Sequence, residues 1–220
     1  MIPLGDVDRK PRAFPLVTML IIGANVFMFS LELINGQQFI MDWVLVPAEI
    51  SSGERLITIL SAMFMHGGWL HIIGNMVYFW AFGPELEDLM GRSRFLVFYL
   101  AGGLAATLVQ VAAAPDSPVP ELGASGAIAA VMGAFLVTFP KDRIRTIVFL
   151  GFFFMIPLIP AVILVGFWFL IQIFNEVGAI MVRQDGGVAY MAHIGGMLYG
   201  ALVAGFFKFS QGGKRHNLEG

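Results

Sequence analysis

Residues 14–33 are an almost unbroken apolar run, and four or five more such runs follow at intervals of a few polar residues. A helix that crosses a bilayer needs about 20 apolar residues, so this spacing restricts the chain to a bundle of membrane helices. Composition agrees. Hydrophobic residues make up 58% and charged residues 13%, against about a quarter charged in soluble domains. With no cysteine in 220 residues, disulfide scaffolds, thiolate metal sites and cysteine nucleophiles are excluded. The polar start with two prolines has no cleavage-like site after the first run, so that run reads as a retained helix.

The chain divides into a cytoplasmic segment 1–13, a six-helix membrane domain 14–207 and a cytoplasmic tail 208–220. The expected spans are 14–33, 61–82, 95–114, 123–139, 159–177 and 188–207. Between them lie a long, partly interfacial loop at 34–60, a charged loop at 83–94, a proline-rich loop at 115–122 and a basic loop at 141–145. Pro157 and Pro160 break the next apolar stretch, because proline disfavours helix continuation. Residues 147–156 are left as an interfacial or re-entrant piece, and 181–187 as a turn. With the N-terminus inside, 11 of the 13 Lys and Arg fall on inside segments; Arg55 and Arg183 fall outside. The positive-inside rule then places both termini in the cytoplasm. The fold class is all-α.

Polar groups inside spans read as functional by default. Ser125 sits in Glu121-Leu-Gly-Ala-Ser-Gly-Ala127, at the start of an apolar helix. Serine needs a base to become a nucleophile, and His193, in a later span, is the candidate. His71 and Asn75 share a helix face at i, i+4, and both can donate hydrogen bonds to an oxyanion. The Ser125 backbone amide, at a helix N-terminus, is a further donor. The topology puts all of these at one depth below the outer surface. Ser125 with Ala129, and Gly196 with Gly200, form small-xxx-small faces that let helices pack closely. Each piece has a plainer reading: a packing turn at Gly123-Ala-Ser-Gly126, an interhelical bond at His193, structural glue at His66, His71 and Asn75. The histidine spacing also suggests zinc, but no acidic or thiolate ligand lies near at helical spacing. No cofactor and no metal are expected.

These residues resemble the rhomboid intramembrane serine proteases from about residue 61 to 200. The resemblance is carried by Phe64-Met-His66, His71-Ile-Ile-Gly-Asn75, Phe82-Gly-Pro-Glu-Leu-Glu-Asp-Leu-Met-Gly91 with Phe95 and Tyr99, Gly123-Ala-Ser-Gly126, and Ala192-His-Ile-Gly-Gly196 with Gly200. It implies a rhomboid-like six-helix bundle, a Ser125–His193 dyad without an aspartate, and an oxyanion hole of His71, Asn75 and the Ser125 amide. His66, Gly123, Gly126 and Gly196 are supporting residues, and Glu87 with the Gly91 turn is structural. The implied activity is endopeptidase cleavage in or next to transmembrane segments. The partners are single-pass or other transmembrane protein substrates and the lipid bilayer, with no nucleic acid. A compact core without an added domain implies, by resemblance, a prokaryotic inner membrane. Two positions depart from the family pattern. Ile57 and Thr58 stand where many relatives have a Trp-Arg pair, with Arg55 nearby. Ala129 stands where some have an aromatic ring stacked on the histidine. The fifth span, with Trp168, is a candidate mobile side for substrate entry. Alternatives are an inactive rhomboid-like protein that binds transmembrane clients, or a small transporter.

Overall fold

In the computed structural model, which describes residues 1–182 and 189–216, the centre of the molecule is a short helix wrapped by longer ones. In chain order the elements are β1 (Ile2–Asp6), α1 (Leu16–Trp43), α2 (Pro47–Ser51), α3 (Thr58–Ser61) with a 3-10 turn (Ala62–Phe64), α4 (Trp69–Met90) and α5 (Arg92–Ala113). Then come α6 (Ser125–Thr138), β2 (Arg143–Leu150), β3 (Phe153–Met155), β4 (Leu158–Pro160), α7 (Ala161–Val182) and α8 (Tyr190–His216). Residues Gly126 to Phe135 of α6 are all buried. A helix apolar on every side belongs in the interior, and α8, α5, α4 and α7 pack around it. Leu16–Trp43 and Arg92–Ala113 are each long and apolar enough to cross a membrane; shorter apolar stretches are Ser125–Thr138, Ala161–Phe174 and Tyr190–Phe206.

Several expectations are corrected. Residues 34–43 are not loop: α1 continues through them, bent at Gly36 with φ 74°. The second helix starts at Trp69, so His66 precedes it, and it runs on through Pro84 to Met90. The expected charged loop at 83–94 is therefore helix, interrupted only at Gly91 (φ 80°). Its acids gave it a loop's polarity, but Glu85 and Glu87 are buried. The Glu87 carboxylate accepts the N–H groups of Val17 (2.9 Å) and Thr18 (2.8 Å) and the Thr18 hydroxyl (2.8 Å). It thereby caps amides that have no acceptor inside the helix at the start of α1 and complements that helix's positive end.

The fold is mostly helical rather than all-α. The expected basic loop and interfacial piece form strands. β2 pairs antiparallel with β1 along one edge, Ile2 opposite Ile147 and Asp6 opposite Ile144. Its other edge pairs with β3 and β4. Pro157 and Pro160 fall in and beside edge strand β4, where a missing N–H is tolerated. The chain start is tied down by charge: Arg143 meets Asp8 at 2.5 Å, and Arg9 pairs with Asp142 while lying 4.1 Å from the Phe139 ring centre. Hydrogen bonds from Arg143 pull the Asp8 carboxyl down to about 2. Helix α8 extends to His216, so the expected tail at 208–216 is helical; residues 217–220, and Arg183 with most of the expected 181–187 turn, lie outside the described residues.

Candidate active site

Gly123 (φ +134°) turns the chain into α6, and its N–H bonds Ala62 O at 2.9 Å. Ser125 is the first residue of α6. Its backbone N–H therefore has no acceptor inside the helix. The Ser125 hydroxyl lies 2.7 Å from His193 Nε2. The two helices approach because three glycines leave no side chain between them. A Cβ on Gly196 would sit 2.1 Å from Gly126 O, one on Gly200 1.8 Å from Ala130 O, and one on Gly133 2.2 Å from Met197 O.

The imidazole is held by Gln172, which the sequence reasoning missed, and by Trp168, which it named only as part of the mobile side. His193 Nδ1 lies 2.8 Å from Gln172 Oε1. The other Gln172 terminus, Nε2, donates to Trp168 O at 3.5 Å. Since the amide oxygen only accepts, Nδ1 carries the proton and Nε2 is left to accept from the Ser125 hydroxyl. The Trp168 ring stands 5.5 Å from the imidazole, centre to centre. Both residues come from α7, one turn apart, and together they take the place of the ring absent at Ala129. The signal was available: a glutamine in an apolar helix, spaced i, i+4 from a tryptophan, is a polar group in search of a partner.

His71 and Asn75 face the same space. Gly67 N–H donates to His71 Nδ1 at 3.3 Å, which leaves the proton on Nε2. Gly123 permits the close approach of that nitrogen: a Cβ there would meet it at 2.9 Å and lie 3.6 Å from Ser125 Oγ. Asn75 Nδ2 is buried with no partner among the described residues. An unpaired buried donor is costly and marks a place where an acceptor belongs. His66 is not in this space. It is buried ahead of α4, its N–H bonded to Glu32 Oε1 at 2.9 Å, its ring 5.1 Å from that of His71.

A cavity of about 630 Å³ between α4 and α7 brings together His71, Asn75, Ser125, Trp168, Gln172 and His193. Glu121 also lines it; burial pushes its carboxyl up to about 7. Glu121 accepts from Gln110 Nε2 at 2.8 Å, and Gln110 Oε1 accepts Ala192 N–H at 3.0 Å, tying the loop before α6 to the start of α8. Arg55 anchors the loop between α1 and α4 by bonds to Met41 O, Asp42 O and Glu49, in place of the absent Trp-Arg pair. Among the described residues no group of three His, Asp or Glu is placed to hold a metal ion.

The rhomboid domain model matches residues 53–210, most of the chain. The chain belongs to the rhomboid family. It is 30% identical over 190 residues to Rhomboid protein 1, mitochondrial, of Saccharomyces cerevisiae, covering 83% of this chain and 50% of that one. It is 34% identical over 143 residues to Rhomboid protease GluP of Bacillus subtilis, covering 60% and 27%. It is 28% identical over 191 residues to Presenilin-associated rhomboid-like protein, mitochondrial, of Homo sapiens, covering 82% and 45%. This rhomboid spans half or less of the length of these relatives. Membrane integration follows from the family. The prokaryotic inner membrane does not, since two of these relatives are mitochondrial by name.

Proposed function

We propose that this rhomboid is an intramembrane serine endopeptidase with a Ser125–His193 dyad. The observation that carries the reading is the 2.7 Å contact between Ser125 Oγ and His193 Nε2, with Nδ1 held by Gln172. Six helices cross the bilayer (α1, α4, α5, α6, α7 and α8) within a membrane domain 14–207, and both termini are cytoplasmic. The Lys/Arg distribution supports that orientation.

His193 Nε2 takes the Ser125 proton as Oγ attacks a substrate carbonyl carbon. The carbonyl oxygen becomes an oxyanion, held by His71 Nε2–H, Asn75 Nδ2–H and the Ser125 amide. The C–N bond breaks as the imidazolium protonates the leaving amine. A water, deprotonated by His193, then attacks the acyl carbon and releases Ser125. A cavity of about 50 Å³ beside Ser125, lined also by Thr107 and Glu121, has room for such a water. Substrates are transmembrane proteins, entering through the α4–α7 side; a helical segment must unwind there before its peptide bond is exposed.

The test is labelling of the purified protein by a fluorophosphonate, with Ser125→Ala and His193→Ala alongside. Labelling that requires both residues supports an activated serine. Absence of labelling in folded wild type, with retained binding of a transmembrane peptide, favours a client-binding protein that does not cut. Labelling that survives Ser125→Ala overturns the assignment.

A further inference from the structure

On the face of α1 and α4 away from the dyad runs a second cavity, and nothing in the proteolytic mechanism uses it. Its apolar part is about 670 Å³, walled by Met19, Ile22 and Val26 of α1 and by Trp69, Ile73 and Val77 of α4. No charged side chain lines it. At one end, Leu4 and Trp80 are shared with a polar cradle of about 450 Å³, formed by the chain start and the inner end of α4. Arg9, Lys10 and Arg12 line that cradle, with Asp6 and Glu85.

The charges there are not equivalent. Arg9 is neutralised by Asp142, and Asp6 Oδ1 accepts the N–H groups of Asp8 and Arg9. Among the described residues Lys10 and Arg12 have no carboxylate within ion-pair distance, and both are exposed. Glu85 is only 9% exposed, and its Oε2 has no partner among the described residues. The cradle thus offers two free cations and two buried carboxylate oxygens, Asp6 Oδ2 and Glu85 Oε2, with no partner among the described residues.

Length decides what fits. Trp69 to Trp80 on α4 covers about 16 Å at 1.5 Å per residue, which is one leaflet of a hydrocarbon core about 30 Å thick. A substrate helix must run the full thickness, and β1 crosses the end of this groove at Pro3 and Leu4. A lipid chain needs one leaflet and can bend at Leu4. We propose that the α1–α4 groove and the Lys10/Arg12 cradle bind one glycerophospholipid with an anionic, hydroxyl-bearing headgroup. The chain lies along Met19, Ile22, Val26 and Val77; the phosphate sits on Lys10 and Arg12; a headgroup hydroxyl donates to Glu85 Oε2. The proposal rests on the membrane integration of the family and not on the dyad.

Delipidated full-length protein in detergent would be offered dioleoyl phosphatidylglycerol or dioleoyl phosphatidylcholine, and bound lipid counted by native mass spectrometry. One phosphatidylglycerol per protein is expected, preferred about tenfold over phosphatidylcholine. Lys10→Glu with Arg12→Glu should abolish the preference and leave phosphatidylcholine binding unchanged. Val26→Trp, from a half-exposed position, should fill the groove and weaken both lipids; Ile73→Trp does the same from the other wall. A monodisperse size-exclusion peak and an unchanged thermal unfolding transition for each variant report that the fold survives. Equal binding of the two lipids by wild type, uptake of many copies without saturation at one, a preference that persists after charge reversal, or binding indifferent to both tryptophans would each overturn the site.

Discussion

Ser125 and His193 are held by two regions built on opposite principles. The α6–α8 seam is backbone against backbone. At Gly133, Gly196 and Gly200 the atoms that an added Cβ would meet are main-chain carbonyl oxygens, at 1.8 to 2.2 Å. None of them can rotate away. The α7 flank is side chain against side chain. It reaches His193 through the Gln172 amide and the Trp168 ring, while its outer face (Ile163, Phe167, Leu170) is exposed. The seam sets where the histidine is; the flank sets which way its ring points. Distance and orientation are therefore separable, and each can be broken alone.

The largest effect is expected at the seam. Gly200→Leu drives a side chain into the Ala130 carbonyl, and the overpacking cost of about 1–3 kcal/mol usual for cores is a lower bound where backbone must move. The expected result is loss of a monodisperse peak in size-exclusion chromatography, and of all labelling. Gly103→Ala is the sharpening control. Its Cβ would lie 2.0 Å from Met63 Cε, the end of a flexible side chain that adapts, so this variant should fold. If both behave alike, the seam's rigidity is not what distinguishes it.

A smaller effect is expected on the flank. Gln172→Leu removes the acceptor for Nδ1–H but leaves the seam intact. A net hydrogen bond of about 0.5–1.5 kcal/mol converts to a fall of up to about tenfold in labelling rate, with the melting temperature nearly unchanged. Gln172→Glu keeps an acceptor oxygen and should restore most of the rate. Trp168→Ala should cost about as much, since an aromatic contact is worth about 0.5–1.5 kcal/mol, and it leaves the Gln172 bond to Nδ1 in place. A Gln172→Leu variant that unfolds, or one that labels at the wild-type rate, would merge the two regions or dismiss the flank.

The same contrast explains what could be read before the structure. Close approach at Gly196 and Gly200 is written in local spacing, because small residues four apart mean the same thing in any membrane helix. The apolar runs placed the helices for the same reason. The Gln172 contact is not local: it joins residues 21 apart on two different helices, and nothing in either neighbourhood names the other. Glu85 and Glu87 misled in the opposite direction. Acidic residues signal solvent unless a partner is known, and Glu87's partners are the amides of Val17 and Thr18, about 70 residues away. The strands at 143–160 escaped because a short apolar run with prolines fits a broken helix or an edge strand equally well.

The smallest effect concerns the tie that holds the Ser125 end of the seam. Glu121 joins Gln110, and Gln110 joins the first turn of α8 at Ala192. Burial raises the Glu121 carboxyl from 4.5 to about 7, with the Gln110 N–H working the other way. Folded protein therefore keeps a proton between those values that the unfolded chain has already released. Stability falls as pH rises from about 4.5 to 7 and levels off above. Glu121→Gln keeps an acceptor for Gln110 and removes the ionisation. Its apparent melting temperature should match wild type near pH 4.5 and exceed it at pH 8 by about 2–4 °C, the change that roughly 1 kcal/mol produces in a chain of this size, the full shift being discounted for solvent screening at this half-buried carboxyl. Labelling should be unchanged, because the tie bears on where α8 begins and not on the ring of His193. An equal gain at both pH values would show that the carboxyl acts through packing and that its charge never reaches the fold.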